Sequence, residues 1–224
     1  MLRQVSQGIH LADRNDPSGW RVSMTLVELG GGRLLVHSPS WLGEATTELV
    51  ERCGEPALLF APNHFHHVSL PKFRSRWPQA RAVAAKDALP RLAAKGHADL
   101  VSLDALKAED LGPVRFHPAP GTRNGETWLS VGDTLVVCDS FFNLPGPLSG
   151  AMGLVLRATR TGPGLKLGRT FRWLALADVR SYRAWVEDTL DALAPKRVLF
   201  SHGDPLEGND AADRLRQAMR AALD

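Results

Sequence analysis

Residues 57–67 read Ala-Leu-Leu-Phe-Ala-Pro-Asn-His-Phe-His-His, so three histidines follow closely on a short apolar run. The apolar run at residues 57–61 is too short for a typical helix and predicts a buried β-strand. Imidazole is the commonest metal ligand in proteins and titrates near neutral pH. Three imidazoles just past the end of a buried strand therefore indicate metal or proton chemistry.

The composition predicts an ordinary globular protein. The chain has 224 residues, of which 44% are hydrophobic and 23% charged, which is typical of one domain over residues 1–224. Its 27 basic and 24 acidic residues give a net charge of +3, too balanced for a dedicated nucleic-acid binder. We therefore expect no nucleic-acid partner.

Cysteine content and hydropathy predict a cytoplasmic protein. The two cysteines, Cys53 and Cys138, are too few for a disulfide framework and fit a reducing compartment. No apolar stretch reaches the length of a membrane span, and residues 1–6 are not followed by the apolar core of a signal peptide. We expect no membrane association.

Strands and helices alternate in the first half of the sequence. Two β-rich runs within residues 20–37 flank Gly30-Gly31-Gly32 and predict a hairpin, because glycine adopts positive φ without strain. Ser40 is positioned to cap a following helix. The predicted elements after the hairpin are a helix at 43–53, a strand at 57–61, helices at 71–77 and 87–95, and between these a strand at 80–84.

The second half repeats this layout of strands followed by helices. A second hairpin is predicted at residues 128–131 and 134–139, around Gly132-Asp133. Residues 144–168 are rich in Gly and Pro and predict a long loop or lid. Apolar periodicity predicts a helix at 178–193, a strand at 197–201 and a final helix from Asn209 or Asp210.

Polar side chains follow three of the predicted buried strands. The histidines at 64, 66 and 67 follow the first strand, Asp139 follows Thr134-Leu-Val-Val-Cys, and His202 follows Arg197-Val-Leu-Phe-Ser. Loops at one edge of a rigid sheet commonly carry functional groups. We expect these groups to form one site.

The order and spacing of these groups resemble the metallo-β-lactamase superfamily. Against the family motif H-x-H-x-D-H, the four motif positions hold Pro62, His64, His66 and His67. The segment 120–125 resembles the family's G-H-T-x-G loop, with Thr122 in place of the histidine ligand. Val137-Cys138-Asp139 and Phe200-Ser201-His202-Gly203 match the strand ends that carry its aspartate and its last histidine. Residues 61–67 and 138–143 more closely resemble an uncharacterised branch of the superfamily, the DUF4336-type group.

The resemblance implies a four-layer αββα sandwich and a degenerate, single-metal site. It assigns His64, His67, Asp139 and His202 as ligands of one Zn or Fe ion, while Pro62 and Thr122 remove ligands from a second metal position. Asp139 and His66 are the implied catalytic residues, with His66 either a fourth ligand or a general base. A bound Zn²⁺ lowers the pKa of its water to about 7.

Two functions remain open from the sequence. The first is a metal-dependent hydrolase acting on a small-molecule substrate. The second is a non-catalytic relative whose pocket binds a small molecule or a protein partner. Under the second interpretation the histidines cap turns, Asp139 forms an Asx turn, and His202 belongs to the Ser-His-Gly-Asp-Pro turn.

Other candidate residues receive weaker assignments. Arg123 and Glu126 lie in the loop that lacks its histidine, where either is a candidate substrate contact or base. His117 is expected at a loop surface, and His10, His37 and His97 have no partner pattern. Three aromatic residues, Trp41, Phe141 and Phe142, belong either to a pocket wall or, more commonly for such residues, to the core.

Overall fold

The structure is a computed structural model that describes residues 1–15 and 20–224, with the backbone alone at Asn15. The chain divides into two compact units. The first consists of Met1–Arg14 and Val22–Arg115, and the second of Asn15–Arg21 and Phe116–Asp224. That residues 1–224 form a single domain stays a prediction.

The first unit is built on a seven-stranded sheet in which the strand order follows the chain. The first strands pair as antiparallel hairpins, β1 with β2 and β3 with β4, whereas β4 to β7 are parallel. The strands are β1 Leu2–Ser6, β2 Ile9–Asn15, β3 Arg21–Gly30, β4 Arg33–His37, β5 Glu55–Ala61, β6 Arg81–Ala84 and β7 Val101–Ser102.

The predicted hairpin around the three glycines is confirmed. All three glycines have positive φ, and the register pairs Gly30 with Arg33 and Thr25 with His37. The strand predicted at residues 57–61 lies within β5, whose Leu59 and Phe60 are fully buried. The parallel pairing of β5 with β4 and β6 explains its continuous apolar run, because strands with neighbours on both sides and covered faces carry little polar alternation.

Short helices connect the parallel strands of the first unit. Ser40 is not the helix cap, because the N-cap position of α1 is Ala45 and Ser40 Oγ donates to the carbonyl of Ser38. Trp41 packs edge-on against Phe73, as the core interpretation predicts. The helices are α1 Thr46–Glu51, α2 Leu70–Arg76, α3 Leu89–Ala93 and α4 Ala108–Leu111, with a 3-10 turn at Leu103–Ala105.

The second unit is built on a five-stranded sheet in the order β14-β13-β10-β9-β8. Its central pair, β10 and β13, is parallel, and β9 and β10 form the hairpin predicted around Gly132-Asp133. A separate antiparallel pair joins β11 and β12. The strands are β8 Arg115–Pro118, β9 Thr127–Val131, β10 Thr134–Val137, β11 Phe141–Leu144, β12 Gly164–Leu167, β13 Arg197–Phe200 and β14 Leu206–Glu207.

Two long helices pack together in the second unit. Helix α6, Val179–Leu193, lies where the sequence predicts it and is capped by Asp178, whose side chain accepts a hydrogen bond from the N–H of Ser181. Its buried face packs with α7, Ala211–Leu223, around Trp128, Tyr182 and Phe200. Among the described residues, no helix is both long and apolar enough to cross a membrane.

The long loop predicted at residues 144–168 is wrong. This segment contains α5, Gly150–Ala158, and β12, and a π-helical segment, Phe171–Ala175, follows it. The helix buries Leu156 against Leu144 and Leu148, whereas Met152, Leu154 and Val155 are exposed. Its pattern lacks the usual separation of apolar and polar faces, and the flanking Gly and Pro residues mask it in the sequence.

His117 lies in edge strand β8 and not at a loop surface. It is half-buried, and one of its ring nitrogens shares a hydrogen bond of 2.8 Å with Ser130 Oγ on the neighbouring β9. Burial lowers the pKa of the His117 imidazole, because the charged form loses its hydration.

We predict that His117 makes the protein less stable as the pH falls. The unfolded chain binds the proton at a pKa of about 6.5, whereas the folded chain binds it only at lower pH, so stability is lost below that value. His117→Gln retains a hydrogen-bonding group without this titration. Urea unfolding between pH 5 and pH 8 should show a shallower loss of stability for the variant; parallel curves would contradict this assignment.

Candidate metal centre

The parallel register of β10 and β13 determines where Asp139 and His202 lie. Val137 pairs with Phe200 at the ends of these strands, so the residues two positions further on emerge at the same edge. His202 Nε2 lies 3.4 Å from Asp139 Oδ1. The structure thus brings together two of the four predicted ligands.

The ring of His202 is held in one orientation. Its Nδ1 lies 3.0 Å from the carbonyl oxygen of Arg21, and because a carbonyl only accepts, Nδ1 carries the proton. Trp20 stacks on the ring with a centroid distance of 4.3 Å, and Phe142 lies nearly parallel to it at 5.5 Å. Histidines that bind metals commonly donate their other ring N–H to a backbone carbonyl, as His202 does. The remaining ring nitrogen, Nε2, faces Asp139.

Gly203 permits the close backbone approach that positions His202. The N–H of Asn143 on β11 donates to the His202 carbonyl at 3.2 Å, and the N–H of Asp204 donates to the Asn143 carbonyl at 2.8 Å. A Cβ atom on Gly203 would lie 2.2 Å from the Asn143 oxygen, and Gly203 has a φ of +125°. Only glycine fits here without a backbone shift.

A buried carboxylate lies beside Asp139 in the same unit. Glu126 is 1% exposed, and its Oε1 accepts hydrogen bonds from the N–H and Oγ of Ser140 at 3.1 and 3.0 Å. Asn124 Nδ2 donates to the other carboxylate oxygen, and Trp128 Nε1 donates to Ser140 Oγ. These bonds fix Glu126 as a structural acceptor that holds the loop after Asp139, rather than as a substrate contact or base.

Glu126, Cys138 and Asp139 offer ligand atoms within 4.8 Å of one another. The Cys138 thiol is buried and accepts a hydrogen bond from Ser201 Oγ. Burial, Asp139 and Glu126, in that order, raise its pKa well above the usual range, so it remains a neutral thiol. Asp139 and His202 pair a carboxylate with an imidazole, and both are donor types that suit a metal ion.

The three clustered histidines lie in a turn of the first unit. Pro62 is buried, and Asn63 folds the following residues by accepting the N–H of Phe65 on its side chain and the N–H of His66 on its carbonyl. His64 is 5% exposed and packs against the ring of Phe65. Asn63, rather than a histidine, therefore accepts the N–H groups of this turn.

His66 is oriented by the neighbouring parallel strand. Its Nδ1 shares a hydrogen bond of 2.6 Å with Ser38 Oγ. Ser38 directly follows β4, and its N–H donates to the Phe60 carbonyl on β5. The ring is half-buried. Ser38 therefore positions the imidazole for which the resemblance implies the role of a fourth ligand or a general base.

His67 makes side-chain hydrogen bonds from both ring nitrogens. Lys95 Nζ lies 3.3 Å from Nε2, and because ammonium only donates, Nε2 is the acceptor. Nδ1 then carries the proton and donates to His97 Nε2 at 3.0 Å. Burial, followed by the charge of Lys95 and its histidine neighbours, lowers the pKa of His67. The neutral form is the one a metal binds, but Lys95 competes for its lone pair.

Thr122 stands at the position that the resemblance assigns to a histidine ligand, and its hydroxyl bonds within its own loop. Thr122 Oγ1 donates to the Ala119 carbonyl at 2.9 Å, and its backbone bridges to Leu176. The hydroxyl is thus committed to the loop itself. Arg123 joins the same loop to Ala175 through its backbone N–H.

Sequence reasoning missed residues that position the predicted ones. Trp20 and Arg21 hold His202, Ser38 holds His66, and Lys95 and His97 hold His67. All five are distant in sequence from the side chains that they contact. His97 directly follows Gly96, the residue expected to end the preceding helix. That position is too common in sequences to identify a side-chain partner.

Comparisons with known proteins identify the fold. No family model matches the chain, and no curated protein matches it in sequence. Solved structures do. The metallo-β-lactamase DIM-1 exposed to ceftazidime has a TM-score of 0.68 at 10% identity, with 99% of this chain and 97% of that chain covered. FIM-1 from Pseudomonas aeruginosa in its mono-zinc form has a TM-score of 0.66 at 13% identity, covering 100% and 96%.

A flavoprotein from Thermotoga maritima has a TM-score of 0.69 at 15% identity, and the match covers 100% of this chain but 61% of the flavoprotein. The match thus extends to larger proteins that contain the same fold. At these identities the likeness establishes the fold, which is that of the metallo-β-lactamases. The predicted fold class is confirmed.

We predict that Gly203→Ala destabilises the protein by about 2 to 3 kcal/mol, the range for a strained backbone and a forced shift. Gly132→Ala is the matched control, because Gly132 also has positive φ but a Cβ there meets nothing within 4 Å. Its cost should be about 1 kcal/mol, the left-handed conformation alone. Equal costs in urea unfolding would show that the Asn143 contact does not constrain the His202 loop.

Proposed function

We propose that this protein is a metal-dependent hydrolase that uses one Zn or Fe ion and acts on a small-molecule substrate. The observation that carries the proposal is the Asp139–His202 pair, with the proton of His202 held on Nδ1 by the Arg21 carbonyl and Nε2 directed at the carboxylate. Nitrogen and carboxylate donors suit Zn²⁺ and non-haem Fe.

The proposed ligand set combines this pair with two histidines from the other unit. His64 and His67 are the ligands that the sequence motif implies, and Asp139 and His202 complete the set of four. When bound, the metal would supply a hydroxide nucleophile near neutral pH by lowering the pKa of its water to about 7. We assign His66, held by Ser38 Oγ, the role of general base.

The second candidate function is a non-catalytic protein of the same fold that binds a small molecule or a partner. Two observations favour it. Thr122 Oγ1 is committed to the Ala119 carbonyl, and Lys95 Nζ competes for the lone pair on His67 Nε2. Both features oppose a fully formed metal site.

The proposal includes a branch of the superfamily, a cellular location and a single-metal site. The stretches 61–67 and 138–143 support the DUF4336-type branch of the superfamily, and the two free cysteines fit a cytoplasmic location. The incomplete motif, with Pro62 and Thr122 at ligand positions, supports a degenerate site with a single metal. Zinc is the ion that we expect first.

We predict that protein purified without added metal carries near-stoichiometric Zn or Fe. Asp139→Ala and His202→Ala should lose most of it, because each removes a donor of the pair. His117→Gln is the control, since it changes a histidine of the same unit outside the ligand set. Elemental analysis measures the content, and His64→Ala and His67→Ala test the contribution of the first unit.

Metal-free wild-type protein that gains no thermal stability from added Zn²⁺ would eliminate the hydrolase and leave the non-catalytic function. If metal is present, ester, lactone and phosphodiester probes test turnover, and Asp139→Ala should abolish any activity found.

We predict that Lys95→Met binds Zn²⁺ several-fold more tightly than wild type. Removing the ammonium frees the lone pair of His67 Nε2 and eliminates a positive charge 3.3 Å from it. Lys86→Met removes an exposed lysine as the control. Competition with a chromophoric chelator measures the affinities. An unchanged affinity in Lys95→Met would indicate that His67 is not a ligand.

A further inference from the structure

The second unit contains a cavity of about 700 Å³ that is separate in its lining residues from the Asp139–His202 pair. Its walls come from the end of α5, strand β12, the π-helical segment and α7. Six basic side chains line it: Arg157, Arg160, Lys166, Arg169, Arg172 and Arg214. The single acidic lining residue is Asp224, whose carboxylate pairs with Arg183 outside the cavity.

These six cations differ from two other arginines of α7, Arg216 and Arg220, which pair with carboxylates. Arg216 pairs with Glu187, Asp191 and Asp213, and Arg220 pairs with Glu187. Within the described part of the chain, none of the six cavity cations has a carboxylate within ion-pair distance. Like charges gathered in a concave surface repel one another and concentrate anions. A bound anion would relieve this repulsion.

Two of the guanidinium groups are held in place by neighbouring groups. Arg172 Nη1 donates to the Ala222 carbonyl at 2.5 Å, and the Arg169 guanidinium lies 5.8 Å from the centre of the Trp173 ring. Guanidinium groups held in this way lose less entropy when they bind an anion.

The size and lining of the cavity indicate the kind of anion. A volume of about 700 Å³ falls in the range of small-molecule sites. Leu165, Leu167, Ala218 and Ala222 supply apolar surface beside the cations, which suits an organic body joined to the charged groups. None of the described lining residues is aromatic, so the stacking platform of a single-strand nucleic-acid site is missing.

We propose that this cavity binds a small organic molecule bearing two or more phosphate groups. Each phosphate monoester carries about −1.5 to −2 charges, so two carry about −3 to −4 and three about −4.5 to −6, against the six cations of the cavity. Arginine forks bind phosphate oxygens in pairs, which explains why five of the six cations are arginine.

Isothermal titration calorimetry with adenosine triphosphate, inorganic tripolyphosphate and inorganic phosphate tests the proposal. The double variant Arg157→Gln/Arg214→Gln removes cations from two different walls. The double variant Arg91→Gln/Arg180→Gln makes the same charge change at exposed positions outside the cavity. We expect wild-type protein to bind the two triphosphates more tightly than inorganic phosphate. The affinity of the cavity variant for the triphosphates should be at least tenfold lower than that of wild type, and the affinity of the control variant should lie within twofold of wild type.

The thermal stability of the same variants gives a second measurement. The cavity variant should melt at or above the wild-type temperature without ligand, because it removes like charges, and should lose the stabilisation that triphosphate gives to wild type. Equal loss of triphosphate affinity in both double variants would show that net charge alone causes the effect, and would overturn the proposal. Two other results would also overturn it: tighter binding of a 20-nucleotide single strand than of adenosine triphosphate, and no binding of any triphosphate at millimolar concentration.

Discussion

The candidate metal centre depends on one backbone constraint, the parallel pairing of β10 with β13 and the contact that continues it. The register places Asp139 and His202 at the same edge, and the contact of Gly203 with Asn143 holds the loop that carries His202. Trp20, Phe142 and the Arg21 carbonyl then fix the imidazole. These three groups contact an imidazole whose place the strand pair has already determined.

Polar groups in the two units are used in different ways. In the first unit, His66 and His67 are held by Ser38, Lys95 and His97, so their nitrogens already have protein partners. In the second unit, the Glu126 carboxylate accepts hydrogen bonds from Ser140 and Asn124, and the raised pKa of the Cys138 thiol favours its neutral form. In both units, several of the polar groups that could bind a metal ion thus already have partners within the protein.

Local patterns predicted most of the regular elements. Glycines at 30–32 and Gly132 fixed the hairpins because their turns need positive φ, and apolar periodicity gave α6 and α7 with nearly correct limits. Residues 144–168 escaped prediction because α5 has a poorly separated apolar face between Gly and Pro residues. Ser40 was misassigned because its hydroxyl found the Ser38 carbonyl, a partner that propensity does not reveal.

The amino-acid sequence by itself determined which strands are buried and where the polar residues follow them. These features are local, since they depend on the residue types within a few positions. The tertiary structure alone decided that Asp139 faces His202, that Lys95 competes at His67 and that six cations share one cavity. Such contacts join residues far apart in the chain, and only strand register and helix packing set the distances between them.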